Sequence, residues 1–512
     1  SRFTSHVSRF TSHVSRFTSH VSRFTLHAIR NTQYLIRPSL LLPSSFFLLF
    51  LFTLAPDLLP ADSGEFQVVV PLLGVAHPPG FTLYTLLGKA FTGLFFLLAP
   101  ARALNLFSAV TGALTLAVVA AAVRRFSRST WPGALAAAAL GVSTTFWSLS
   151  TTANVRSLTG LLAALCLWSL AEGGRGEEGG GKREEGVSRR AAGFLLFLSL
   201  GILHHASLAF MGVVFAAYFF WQNRRALTRA NGRAWLAALG LATLPVLTLL
   251  YLPVRGAQGA FLAPPRLASL PGFLEHVFAT GFRGDFFYFA HLSDLPDRLA
   301  ILGNLLVFQF GWPLLALIVL ALPLAIRRDR RYSLMLLAAF AVHAFVSITY
   351  RAPQTVEYLL PAYVVLAVLL GLGLAGVERF GATHASRFTF HASRLSFLLL
   401  APAILLLFAR NLPSYLALAR DRSTREYAES VLAAAPPGAV VFANWHWATP
   451  LWYLQQIDGQ RPDVEVLYVF PQGESLARTW VTRIGDVLPT RPTLVTAYYP
   501  VEYAASGYRF LP

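Results

Sequence analysis

Apolar runs of roughly twenty residues recur along this chain, separated by short polar or basic stretches. A run of that length suits a helix crossing the ~30 Å hydrocarbon core of a bilayer. The balance of residues agrees: 55% of the 512 residues are hydrophobic and 13% charged, with a mean hydropathy of +0.55. A soluble domain carries about 25% charged residues. The expected fold is therefore an all-α polytopic membrane protein, and length does not count soluble domains. The formal net charge of +18 does not mark a nucleic-acid binder. No recognition motif accompanies it. Its basic residues cluster in short loops between apolar runs, where they set orientation and meet anionic lipid. The one cysteine, Cys166, lies inside an apolar run, so no intrachain disulfide forms and cysteine usage is silent on compartment.

The heptad SRFTSHV occurs three times at the start and is followed by SRFTLHA, with a related run at 384–394. Near-identical copies rich in Ser and Thr read as low-complexity insertions rather than a coiled coil, so residues 1–36 are set apart. Spans are expected at about 40–56, 104–123, 133–149, 158–170, 194–208, 210–221, 235–252, 305–326, 334–348, 359–376 and 397–408, about eleven in all. Basic clusters follow at Arg124, Arg125 and Arg128, at Lys182, Arg183, Arg189 and Arg190, at 224–233, at Arg327, Arg328, Arg330 and Arg331, and at Arg387 with Arg394. All fall on one side only if the amphipathic segment 81–98 lies along the outer interface instead of crossing. The N-terminus is then cytoplasmic. Outside lie a first loop at 57–103, a long loop near 253–303, and everything after 410. The tail, 411–512, alternates β-rich runs (AVVFA, VEVLYVF, TLVTAYY) with helical stretches and reads as a small extracytoplasmic α/β domain. The membrane domain is 37–410.

The first outer loop opens with "DSGEF" and continues to "HPPG". Asp62, Ser63 and Glu65 suit a helix N-cap and capping box. Charge pressed between a span and an amphipathic helix is also costly and tends to be functional, and the two readings are compatible. Two prolines hold the chain extended around His77, and Gly80 permits a sharp turn. A lone histidine is more often a structural residue, but one beside two carboxylates at a lipid interface suits contact with a phosphate or the positioning of an acceptor.

The order of span, acidic loop, His-Pro-Pro, amphipathic helix and an Asn-Leu-x-Ser-Ala start resembles the GT-C superfamily of membrane glycosyltransferases. Within it, the chain looks like the family related to eukaryotic transmembrane protein O-mannosyltransferases and their bacterial members. The residues that carry this are "ADSGEF", "LGVAHPPGFTLYTLLGKAF" and "NLFSAVTGALT", supported by "HHASLAF", "YLPVRGA", "EYLLPAYVVLA" and "WYLQQIDGQRPDVEVL". The resemblance implies a GT-C-like fold and transfer of a sugar, mannose by analogy, from a polyprenyl-phosphate carrier to a protein or glycan acceptor outside the cytoplasm. It implies neither cofactor nor metal, and a multi-pass location in a bacterial plasma membrane.

Position within that pattern makes Asp62 the general base, Glu65 a supporting carboxylate, and His77 a contact to the donor phosphate. Arg255 and Arg351 are candidates for the carrier phosphate, with helix-end anchoring as the alternative. Glu357 is a candidate site residue or a helix N-terminal charge. His204 and His205 line a cavity or serve structural hydrogen bonds. In the tail, Trp445, Trp447, Trp452 and Tyr453 either pack a core or stack on a sugar. The chain departs from the family where relatives carry Glu-Val-Tyr and it reads Asn154-Val155-Arg156, and where Arg102 stands three residues ahead of Asn105. Two other functions are compatible with the composition: a transporter or flippase of lipid-linked saccharides, which would show internal repeats and broken midplane helices, and an envelope glycan polymerase or ligase.

Overall fold

The computed structural model describes residues 38–127, 129–171, 189–227, 231–352, 354–383, 386–470 and 475–508. The opening repeat, residues 1–36, lies outside them, as do Arg128, Lys182 and Arg183.

The expected spans fall largely on helices. Six helical stretches are long and apolar enough to cross a membrane: Pro100–Arg124, Gly232–Ala257, Leu295–Arg328, Arg330–Thr349, Leu360–Val377 and Leu398–Ala434. Leu41–Phe52, Trp131–Gly141, Arg156–Leu170 and Arg190–His204 are shorter apolar helices, and Ser207–Asn223 has 17 residues. Leu236, Leu239, Val246, Leu247 and Leu250 point outward from the protein. A row of exposed leucines on an apolar helix is tolerable against lipid and costly against water.

Two elements differ from the sequence reading. The single span expected at 133–149 is two helices, Trp131–Gly141 and Thr144–Leu149. They part at Ser143, whose backbone is extended. Gln309, from the Leu295–Arg328 helix, fills the break: its Oε1 accepts from Thr145 N at 2.8 Å and its Nε2 donates to Ser143 Oγ at 2.6 Å. The Thr145 backbone N–H freed at the break is thereby satisfied in an apolar interior. The Leu295–Arg328 helix is itself interrupted at Gly311, where φ is 68°, a conformation glycine adopts without a Cβ penalty.

The segment expected to lie flat is the helix Thr82–Leu94. Thirteen residues reach only about 20 Å, short of a ~30 Å core. Leu86, Leu87, Leu94, Phe96 and Leu97 are exposed along and just beyond it.

After the long helix Ser386–Leu418 comes the helix Ser423–Ala434. Beyond it are three strands, β1 (Val440–Ala443), β2 (Glu465–Tyr468) and β3 (Thr493–Val495). They form a parallel sheet in the order β2-β1-β3, with Val440 opposite both Glu465 and Thr493. Helices Trp445–Gln456 and Leu476–Val487 connect the strands. Parallel strands need such crossovers.

This α/β unit sits on the segment that carries Asp62. Thr449 Oγ1 donates to Ala61 O at 2.9 Å. A Cβ on Gly64 would stand 2.6 Å from Thr449 Oγ1 and would also strike Leu59 O, so glycine is what lets the two helices meet. Arg425 pairs with Asp57 at 2.6 Å and with Asp458 at 2.7 Å, tying the same surfaces together. Asn105, from the "NLFSA" stretch, is fully buried. Its Nδ2 donates to Ala55 O at 3.0 Å and Asp57 O at 3.1 Å. Its Oδ1 accepts from Ala153 N at 2.9 Å and Gln67 Nε2 at 3.1 Å. One amide thus satisfies backbone groups of two loops and fixes where the acidic segment enters.

Candidate active site

The acidic stretch is a helix, Ala61–Leu72, and the capping reading does not hold. Pro60 precedes the helix and no side chain caps it. Asp62 and Glu65 therefore lie inside the first turns, three residues apart on one face. Their partners come from elsewhere in the chain. Asp62 is part-exposed, and its Oδ1 accepts from the Trp445 indole at 2.9 Å. Gln354 Nε2 lies 3.5 Å from Asp62 Oδ2.

Glu65 is fully buried. A buried carboxylate needs a counter-charge and hydrogen bonds, and His77 supplies both. Its backbone N–H donates to Oε1 at 2.6 Å, and Nδ1 stands 2.5 Å from Oε2. Burial disfavours the His77 imidazolium, but Glu65, with help from Asp62, outweighs it and raises the pKa to about 9. His77 is therefore a cation at neutral pH. Its ring rests against Phe66, Phe81 and Trp445.

The turn that presents His77 closes with Gly80 N–H donating to His77 O at 2.8 Å. Gly80 has φ 93°, and a Cβ there would stand 2.8 Å from Leu252 and 3.1 Å from His276. His276 braces the segment through Nε2–H to Ala76 O at 3.1 Å. Burial pushes His276 down to about 4, so this second imidazole stays neutral.

Other candidates divide. Glu357 reaches the site: it pairs with Arg156 at 2.9 Å. Arg156 also donates to Gln354 Oε1 at 2.8 Å, so Gln354 bridges Arg156 to Asp62. His205 packs between Phe81 and Tyr358, and its Nδ1 meets Ser207 Oγ at 2.8 Å. His204 is fully buried with Nε2 on Val155 O at 2.9 Å. Both histidines stand behind the site in structural hydrogen bonds.

The two arginines expected to hold phosphate lie elsewhere. Arg255 donates through Nε to Leu73 O at 2.6 Å and through Nη2 to Leu72 O at 3.3 Å, and it also holds Gln258. It caps the far end of the helix that carries Asp62, about 15 Å along the axis. The carbonyls a helix leaves unsatisfied at its C-terminus draw a cation there. Arg351 is exposed and pairs with Asp285 at 2.6 Å, its guanidinium stacked 4.3 Å over Tyr288.

Arg156 and Gln354 were not among the expected site residues. A charged residue at the mouth of an apolar run was the available signal for Arg156. In the sequence Trp445 reads as one of several aromatics of the tail, with nothing local to tie it to Asp62. Of its neighbours, Trp452 donates to Val466 O at 3.1 Å and Tyr453 accepts from Ala101 N at 3.4 Å, while Trp447 stacks on Tyr427. All three serve packing.

Asp62, Glu65 and His77 each offer a ligand atom, all within 4.8 Å of one another. A divalent cation could share such a set only if His77 gave up its proton, so the ion pair and a bound metal are alternatives.

Residues 62–229 match the family described as "Protein O-mannosyl-transferase TMEM260 N-terminal domain". The chain is 26% identical over 441 residues to mouse "Protein O-mannosyl-transferase TMEM260", covering 82% of this chain and 60% of that one. It is 22% identical over 464 residues to its Dictyostelium discoideum namesake, covering 82% and 55%. The chain thus spans somewhat more than half the length of these relatives. Among solved structures it is similar to ArnT from Cupriavidus metallidurans bound to undecaprenyl phosphate, with TM-score 0.53, 16% identity and 89% of each chain covered. It is also similar to the apo form of that protein, with TM-score 0.53, 15% identity, and 93% and 95% covered.

Proposed function

We propose that this O-mannosyltransferase-like, multi-pass membrane chain of GT-C fold transfers a sugar, mannose in the first instance, from a polyprenyl-phosphate carrier to a hydroxyl of a protein or glycan acceptor on the extracytoplasmic side. The observation that carries this reading is the adjacency of two opposite functions on one short segment. A part-exposed carboxylate, Asp62, stands next to an imidazolium, His77, held charged by a buried Glu65.

Asp62 accepts the proton of the acceptor hydroxyl as its oxygen bonds to the anomeric carbon. The bond from that carbon to the phosphate oxygen breaks, and the electron pair leaves on the carrier phosphate. His77 faces that growing negative charge as a preorganised cation. Trp445 and Gln354 orient Asp62 from two sides, and Glu65 orients and charges His77. The chemistry needs no nucleotide. We also propose that it needs no metal, because the His77 cation occupies the place a metal would take beside Glu65. The names of the sequence relatives favour a protein acceptor and mannose, and the ArnT likeness favours a polyprenyl-phosphate carrier.

The test is transfer by the full chain, purified in lipid, from polyprenyl-phosphate mannose to a Ser/Thr-containing peptide. Stoichiometric release of polyprenyl phosphate with mannosylated peptide is expected. Translocation of the intact donor without release of the carrier would replace this reading with the flippase.

A further inference from the structure

We infer that Arg156 anchors the phosphate of the lipid donor and that Glu357 holds its place until the donor arrives. This rests on the proposed function and deepens it by assigning the phosphate's second cation.

Outer-side cations near the site are mostly engaged with other groups. Arg255 caps carbonyls, Arg351 pairs with Asp285, Arg425 lies between Asp57 and Asp458, and Lys89 donates to Pro71 O. Arg156 alone among these joins the Asp62 network, through Gln354. It opens the helix Arg156–Leu170 and is only 6% exposed. Its Nε–H is buried with no acceptor among the described residues. A buried guanidinium with a donor to spare is out of balance: leaving such a group unpaired is costly, and arginine's fork suits phosphate oxygens.

Glu357 can be exchanged where Arg156 cannot. In their pair the Glu357 side chain is 32% exposed and that of Arg156 is 7%. Glu357 sits on a four-residue helix, Thr355–Tyr358, between two long ones. It can turn to water while Arg156 stays, stacked 4.7 Å over Tyr358 and held by Gln354. A donor phosphodiester would then take the vacated Nη1 and the spare Nε. Negative charge grows on the phosphate as its bond to the sugar breaks, so the same anchor holds the transition state more strongly than the donor, the requirement for a catalytic contribution.

The test measures binding of undecaprenyl phosphate to the full chain in nanodiscs, with no transfer required. Arg156→Ala should weaken binding about tenfold or more, and Arg156→Lys should restore only part of it. Glu357→Gln, which removes the competing charge but keeps the shape, should tighten binding about threefold. It is the deciding variant should Arg156→Ala not fold. Inorganic phosphate should bind at least about tenfold more weakly than the lipid, and equal affinity would overturn assignment to a carrier. Unchanged binding in Arg156→Ala, or weaker binding in Glu357→Gln, overturns the inference and leaves the proposed reaction standing. No binding by the wild type overturns both.

Discussion

Both carboxylate oxygens of Glu65 are directed at His77, one at its backbone N–H and the other at Nδ1. Residue 65 thus fixes the place and the charge of residue 77. Glu65→Gln leaves an imidazole beside a buried amide. Removing one partner of a buried pair costs about 3–5 kcal/mol. The variant should melt at a lower temperature than the wild type and lose donor affinity, as read by thermal unfolding and lipid binding on the same sample. A variant of unchanged melting temperature would mean that the pair contributes nothing to the fold.

The pH dependence follows from the same contact. The groups facing His77 are Glu65, Asp62 and Arg156. Its folded pKa of about 9 lies above the unfolded value near 6.5. The stabilisation is therefore complete below pH ~6.5 and is lost as pH rises through ~9. Donor binding should fall off on the alkaline side near pH 9, and His77→Gln should abolish that limb. A wild-type profile flat from pH 7 to 10 would contradict a charged His77.

Trp445→Phe keeps an aromatic ring, a smaller one, and removes the N–H from which Asp62 Oδ1 accepts at 2.9 Å. A hydrogen bond to a charged group contributes about 1.5–3 kcal/mol. With Asp62 less well oriented, kcat should fall roughly tenfold while donor KM stays within about twofold. A change in KM alone would return Trp445 to the role of sugar platform.

Arg255→Ala should lower the melting temperature and leave undecaprenyl phosphate affinity within about twofold, because its hydrogen bonds end on Leu72 O, Leu73 O and Gln258. A large loss of lipid affinity in a stable variant would restore the phosphate role read from the sequence.

Exhaustive chelation should leave transfer unchanged if His77 is protonated against Glu65. Loss of transfer on chelation, restored by a divalent cation, would mean that Asp62, Glu65 and His77 close on a metal instead.

Much of this was written locally in the chain. Period and length of the apolar runs placed the helices, and "DSGEF" with "HPPG" placed Asp62, Glu65 and His77 together. What stayed hidden depended on partners far along the sequence. Pro60 precedes the helix with no side-chain cap, and Asp62 accepts from the indole of Trp445, 383 residues away, where capping would have it accept from nearby backbone N–H groups. The split at Ser143 is stabilised by Gln309, 166 residues on. Arg255 reads as a free cation beside a span until the carbonyls of Leu72 and Leu73 are seen to occupy it. Arg156 reads as a departure from family pattern until Glu357 appears opposite it. Periodicity reports which face is apolar, but not which distant polar group will meet it.

The most direct measurement is the single-turnover rate of Asp62→Asn against wild type, with polyprenyl-phosphate mannose saturating and undecaprenyl phosphate binding checked in parallel. Positioned proton acceptors contribute about 10²–10⁴ in rate. The account predicts a loss in that range with lipid binding retained. Turnover within about threefold of wild type would contradict it.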